Sequence, residues 1–233
     1  MRDMGAPRAI LEGAAAIAES DPDPFVQSRG EVLQSFIRTM PAGSPIDDVR
    51  PDDPERERRA LEYLRERRLG ASPDQLRRSS LEGDFEAVEA LLAAGVNVNA
   101  GEASESALTA AVFSGCGAAG GDSDPLVRTV ELLIEAGADI NRRGQNDNTP
   151  LLHAAQMCGP RIVELLLSAG ADPNARNGTG MSPLGMAMIM RKLDSAEVLV
   201  DGGARLDEGQ VEMVAAMATE PRAQEILRRA SQP

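Results

Sequence analysis

The apolar and polar positions of the chain repeat at a fixed interval. Three leucine-rich segments, VELLIEAGAD, VELLLSAGAD and AEVLVDGGAR, place their glycines at Gly137, Gly170 and Gly203, so the two intervals between them are equal. Their apolar residues recur at the three- and four-residue spacing of a helix with one buried face. Each segment therefore predicts a helix that ends at its glycine, and the equal spacing predicts a chain built from repeated units.

A second helix is predicted before each of the last two leucine-rich segments. The motif TPLLHAA begins at Thr149 and SPLGMAM begins at Ser182, and the same interval separates them. A Thr or Ser hydroxyl can accept a hydrogen bond from the first turn of a helix, and the proline that follows it has no N–H to leave unpaired. Each unit is thus predicted to contain an inner helix that starts at this motif, an outer helix and a hairpin turn.

The length of the unit and these two motifs resemble the ankyrin repeat. The resemblance covers about residues 71–230, and it implies an all-α solenoid of four to five helix-turn-helix repeats with short hairpin loops. Residues 210–233 are expected to form the C-terminal capping helices. The four repeats are placed at residues 71–99, 100–141, 142–174 and 175–207.

Two parts of the chain depart from the repeat. The second repeat is too long, and its excess lies in residues 115–124, GCGAAGGDSD, which we predict to be a mobile surface loop because it is glycine-rich and has no apolar periodicity. Two roles are open for this insertion, a lid over the binding surface or an inert elaboration. Residues 1–70 are predicted to form amphipathic helices that cap the solenoid, and a separate binding role for them is left open.

Composition and charge narrow the choice of partner. The chain has no Trp, one Tyr and four Phe, so its core must be built from aliphatic residues and Met, which suits packed helices. Residues 71–233 hold 13 basic and 23 acidic side chains, and the whole chain has a net charge of −13. Such a surface repels phosphate groups, so we expect neither nucleic-acid nor membrane binding. A basic protein is the expected partner, and the alternative is that the acidity serves only solubility.

The cysteines and the histidine give no recognisable chemistry. Cys116 and Cys158 are too few for a disulfide framework and stand in no metal-binding spacing, so they point to a reducing cytoplasm. Leu152 occupies the place of the histidine in the ankyrin TPLHxAA pattern, and His153 is shifted onto a variable position, where the resemblance implies an exposed contact residue. No hydrolase, metalloprotease or phosphate-loop motif is present, so we expect no catalysis, metal or cofactor.

Two sets of residues are expected to contact a partner. In ankyrin repeats the variable positions of the inner helices face the concave side, which here implies Arg78, Leu81, Phe113, His153, Gln156, Met157, Met186, Ile189 and Met190. The hairpin tips supply the second set, which is Glu102, Arg142, Arg143, Gln145, Asn146, Arg176 and Thr179. Methionine adapts its shape to a partner, which favours a contact surface. The alternative is that the terminal helices of the chain cover these apolar side chains as core.

The resemblance implies a non-catalytic protein-binding module that is a monomer on its own. A single lysine against 23 arginines is typical of a GC-rich bacterial coding sequence. A concrete form of the function is therefore an immunity or inhibitor protein for a basic bacterial toxin or enzyme. The alternative is a scaffold or regulatory subunit that binds without inhibition, and an enzyme with an unrecognised site is less favoured.

Overall fold

The computed structural model describes residues 54–101, 106–119 and 122–231. All described residues except Pro54 belong to one compact unit, Glu55–Pro233. Eleven α-helices and one short 3-10 turn occur in the described residues, with no strand among them. This confirms the all-α prediction, whereas the part of the predicted N-terminal helices that precedes residue 54 lies outside the described residues.

The helices form two rows, numbered in chain order. The outer row contains α1 (Pro54–Glu66), α3 (Phe85–Ala93), α5 (Asp124–Glu135), α7 (Pro160–Ser168), α9 (Leu193–Asp201) and α11 (Pro221–Ala230). The inner row contains α2 (Pro73–Glu82), α4 (Ala107–Ala119), α6 (Pro150–Met157), α8 (Pro183–Ile189) and α10 (Glu208–Ala215). Among α2 to α11, each helix packs against its neighbours in the same row and against the other helix of its pair. The result is a stack of helix pairs.

The inner helices begin with the capping chemistry that the sequence predicts. Ser72, Thr149 and Ser182 each accept a hydrogen bond on the side-chain oxygen from the backbone N–H three residues later, and a proline occupies the first turn of each helix. The glycines that follow the outer helices have φ between 79° and 90°, a region that favours glycine; they are Gly95, Gly137, Gly170 and Gly203. The helix starts predicted at Thr149 and Ser182 and the stops predicted at Gly137, Gly170 and Gly203 are therefore confirmed.

The apolar core lies between the two rows. The third pair, α6 and α7, contributes Leu151, Ala154, Ile162 and Leu166, all of them 0 % exposed. These side chains belong to one continuous cluster that runs from α1 to α11. Because each pair buries its apolar faces against the pairs on either side, the stability of one repeat depends on its neighbours.

Asparagine side chains join successive hairpins. Asn141 donates a hydrogen bond from Nδ2 to the Gly170 carbonyl at 3.0 Å and accepts one on Oδ1 from the Asp172 N–H at 2.8 Å. Asn99 and Asn174 make the same two hydrogen bonds to the hairpins that follow them. Each asparagine thus satisfies the carbonyl of the glycine that ends the next outer helix, and it fixes the spacing between repeats.

Replacing Asn141 with alanine is expected to destabilise the stack by about 1–2 kcal/mol, because two hydrogen bonds between repeats are lost at a solvent-exposed site. Urea denaturation followed by circular dichroism measures the change. Gln145→Ala is the matched control, since Gln145 is exposed and lies in the same hairpin, and it should change stability by less than about 0.5 kcal/mol. Equal effects of the two substitutions would show that the asparagine bonds do not join the repeats.

Two helices, α10 and α11, follow the last repeat and cover its end. The Ser182 hydroxyl donates to Gln210 Oε1 at 2.7 Å, while Gln210 Nε2 donates to the Gly180 carbonyl at 2.8 Å. Gln210 is only 5 % exposed, so this amide is a buried brace between α8 and α10. Arg222 of α11 forms ion pairs with Asp194 and Glu197 of α9, but these charges are solvent-exposed and contribute little to stability.

The insertion differs from the predicted loop. Helix α4 continues through residues 115–119, and Cys116 within it is 2 % exposed. The prediction of a mobile loop is therefore wrong for the first half of the insertion, because burial of Cys116 outweighs the poor helix propensity of glycine. Further along, the Asp122 carboxylate accepts hydrogen bonds from the backbone N–H groups of Gly159 and Arg161 at 3.0 and 2.8 Å. Asp122 thereby caps α7 of the next repeat.

Candidate functional site

Exposed apolar side chains concentrate on the inner row. Six large apolar side chains are exposed in the described residues, and five of them lie on inner helices or within two residues of their ends. These five are Leu81, Phe113, Met190, Met213 and Met217, whereas Leu61 lies on α1 of the outer row. Single exposed apolar residues are ordinary on protein surfaces, but their accumulation on one row is typical of a contact surface.

Three side chains form a central patch on this row, which we define as Phe113, His153 and Met157. Phe113 of α4 meets His153 of α6 edge to face, with ring centroids 5.4 Å apart and an interplanar angle of 82°. Met157 lies one turn after His153 on α6, and side chains four residues apart share one face of a helix. Phe113 is 53 % exposed, while the other two are half-buried. The patch therefore spans two neighbouring repeats.

His153 is adapted to an apolar surface. Its Nδ1 atom is buried and has no hydrogen-bond partner among the described residues. Burial lowers the pKa of the imidazole from its ordinary value of 6.5, and burial is the only cause of this shift among the described residues. The neutral form of the ring therefore predominates at pH 7, which suits an apolar patch.

The remaining residues predicted for the concave face differ in exposure. Arg78, Leu81 and Met190 are exposed, as expected of contact residues, whereas Gln156, Met186 and Ile189 are half-buried. Met157 packs against the core, and its carbonyl accepts a hydrogen bond from Lys192 Nζ at 2.9 Å. The inner row thus contains both exposed side chains and side chains that support the core. The role of these residues in partner binding stays a prediction.

The hairpin arginines join neighbouring hairpins. Arg142 donates to the Asn99 carbonyl at 2.7 Å, and Arg143 donates to the Arg176 carbonyl at 2.7 Å. Arg176 in turn forms an ion pair with Asp207. Sequence reasoning missed this structural role, although one signal for it exists, since Arg143 and Arg176 are one repeat length apart and so occupy equivalent positions in consecutive repeats.

The other predicted tip residues lie at the surface. Gln145, Asn146 and Thr179 are exposed, and the Asn146 carbonyl accepts a hydrogen bond from the Gly178 N–H at 2.8 Å. Glu102 lies outside the described residues. The role of these side chains in partner binding stays a prediction.

A disulfide joins the second and third repeats. Cys116 in α4 and Cys158 at the end of α6 are bonded, with their Cα atoms 4.8 Å apart, and their exposed fractions are 2 % and 0 %. The cysteines were expected to be reduced, as in the cytoplasm, and the disulfide shows that this expectation is wrong about their pairing. The residues are 42 apart in sequence, and only the stacking of neighbouring inner helices brings them together. The signal for this pair is that both cysteines fall near the ends of the inner helices of adjacent repeats.

Two further properties bear on function. Among the described residues no group of three or more His, Cys, Asp and Glu side chains is placed to hold a metal ion. In the same part of the chain, no helix has the length and apolar character needed to cross a bilayer.

Comparison with known proteins agrees with the stacked helix pairs. Residues 118–210 match the family model described as ankyrin repeats (3 copies). The match begins in α4 and ends in α10, so it contains the whole third and fourth helix pairs of the stack. No curated protein matches the chain significantly.

Proposed function

We propose, from the premise that residues 118–210 are ankyrin repeats, that the protein is a non-catalytic module that binds another protein through its inner helices. The observation that carries this proposal is the concentration of exposed apolar side chains on the inner row, with Phe113 at 53 % and Met190 at 45 % exposure. Exposing these side chains costs free energy in an isolated chain, and a partner that covers them recovers it.

The charge of the chain supports a basic partner. The net charge of −13 attracts a cationic protein at long range and speeds its association. The same charge repels nucleic acids and anionic membranes, which we do not propose as partners. We propose that the free chain is a monomer and that binding covers the active site of a basic toxin or enzyme, as an immunity protein does.

The disulfide bears on where this binding takes place. Structural disulfides are typical of proteins that fold in an oxidising compartment and are rare in the cytoplasm. The cytoplasmic location was expected because the cysteines were taken to be reduced. The Cys116–Cys158 bridge removes this reason for it.

Capture from the native host tests the proposed function. We expect the immobilised oxidised chain to retain a basic protein at low salt and to release most of it at high salt, because screening weakens the attraction between exposed charges. The bound protein should lose its enzymatic or toxic activity. A partner that keeps full activity in the complex would favour the scaffold alternative, and a partner that is acidic would contradict the proposal.

A further inference from the structure

We propose that the Cys116–Cys158 disulfide positions the central patch of Phe113, His153 and Met157, so that the patch has its binding shape only while the bridge is closed. This rests on the proposed function, because the patch belongs to the surface assigned to the partner. The two cysteines are thus positioning residues for that surface, and the oxidation state of the chain regulates it.

The bridge and the patch join the same two helices. Phe113 lies one turn before Cys116 on α4, and Met157 directly precedes Cys158 at the end of α6. The contact between Phe113 and His153 spans the gap between these helices, and the disulfide spans the same gap. A covalent link at the ends of α4 and α6 therefore limits how far the two sides of the patch can separate.

The end of α4 depends on this link more than the rest of the helix does. It contains Gly115 and Gly117, and glycine favours the helix less than any residue except proline. In this end, Cys116 is almost fully buried. Its side chain is bonded to Cys158 and therefore anchors the last turns of α4 to α6.

Met157 is held from both sides. Its carbonyl accepts the hydrogen bond from Lys192 at 2.9 Å on the side of the fourth repeat, while the adjacent Cys158 is bonded to the second repeat. When the disulfide opens, the end of α6 keeps its hydrogen bond from Lys192 and loses its covalent bond to α4. We therefore expect the side of the patch on α6 to stay in place and the side on α4 to move away.

Opening the bridge is a two-electron reduction. The S–S bond breaks, and each sulfur gains one electron and one proton to become a thiol. The phosphine TCEP supplies the two electrons and takes an oxygen atom from water to become the phosphine oxide, and the same water supplies the two protons. Because both cysteines are buried, reduction requires a transient opening of the α4 end, and the bridge stays closed under mild conditions.

The pKa of His153 reports the position of the patch without a partner. His153 is the only histidine of the chain, so a single imidazole signal is followed by NMR as the pH changes. In the oxidised protein, burial lowers the pKa of this imidazole. After reduction with TCEP, we expect the pKa to rise toward its ordinary value, because the ring loses its contact with Phe113 and gains water. An unchanged pKa with both thiols shown to be free by alkylation and mass spectrometry would overturn the proposal.

A matched variant separates the bridge from other effects of the reductant. Cys116→Ala with Cys158→Ala should show the raised His153 pKa without TCEP and should not respond to TCEP. If the double-alanine variant loses its helical circular dichroism, Cys116→Ala with Cys158→Val refills part of the buried volume and is titrated instead. A folded variant of either kind that keeps the lowered pKa of the oxidised protein would overturn the positioning role.

The titration and the partner experiment fail in different ways. If the disulfide does not position the patch, oxidised and reduced chains give the same His153 pKa and bind the captured partner equally. If the proposed function is wrong at this patch, the pKa changes on reduction but the oxidised chain and its Phe113→Asp variant bind the captured partner equally. We expect instead that the His153 pKa rises on reduction and that Phe113→Asp weakens binding. Reduction itself should weaken partner binding by about tenfold or more.

Discussion

Reduction of the Cys116–Cys158 disulfide is expected to lower the free energy of unfolding by about 4 kcal/mol. The bridge closes a segment whose ends are 42 residues apart in sequence, and cross-linking a loop of this length removes much of the conformational freedom of the unfolded chain. Urea denaturation of the oxidised protein with and without TCEP, followed by circular dichroism, measures the difference.

An effect of this size is a large fraction of the stability of a domain, which is about 5–15 kcal/mol. The bridge also joins two neighbouring repeats, so we expect the reduced protein to unfold over a wider range of urea as the coupling between repeats weakens. The Cys116→Ala, Cys158→Ala variant is the control, and TCEP should leave its transition unchanged. A reduced wild-type protein whose midpoint equals that of the oxidised protein would show that the bridge does not stabilise the fold.

The repeated helices could be predicted from the sequence because their signals are local. A Thr or Ser followed by proline, as at Thr149 and Ser182, encodes a helix start within a few residues. A glycine such as Gly170 encodes a helix stop through its own backbone, and its φ is 90°. Since these signals recur at a constant interval, the stack of pairs follows from matching one unit to the next.

The disulfide and the extended α4 helix were not predicted, because they depend on contacts between repeats. The glycines of residues 115–119 favour a loop in isolation. Burial of Cys116 against the next inner helix, where Cys158 lies, reverses that preference. The cysteine count alone gave no indication of which residues stacking would bring together.

The candidate site could be predicted only in part. The family pattern selected the inner-helix positions, and Phe113 and Met190 are indeed exposed. It did not distinguish them from Met157, which packs against the core. Exposure of a methionine depends on what the neighbouring repeat places against it, and that is a property of the stack.

Phe113→Asp together with Met190→Asp is expected to weaken partner binding by about 100-fold or more, with the helical content of the protein unchanged. Phe113 and Met190 are 53 % and 45 % exposed, so a carboxylate at either position remains hydrated in the free chain. In the complex it would be buried against the apolar part of the partner that covers these side chains, which costs a large share of the binding free energy. Binding of the captured partner is measured by titration calorimetry, and circular dichroism checks the fold.

We propose that the exposed side of the inner helices is the surface that binds the partner. This is tested by the partner affinity of the Phe113→Asp, Met190→Asp variant measured beside that of Leu61→Asp, because Leu61 is similarly exposed at 46 % but lies on α1 of the outer row. We predict the large loss for the inner-row variant and an affinity within about twofold of wild type for Leu61→Asp. Equal affinities for the two variants, or a greater loss for Leu61→Asp, would contradict the claim.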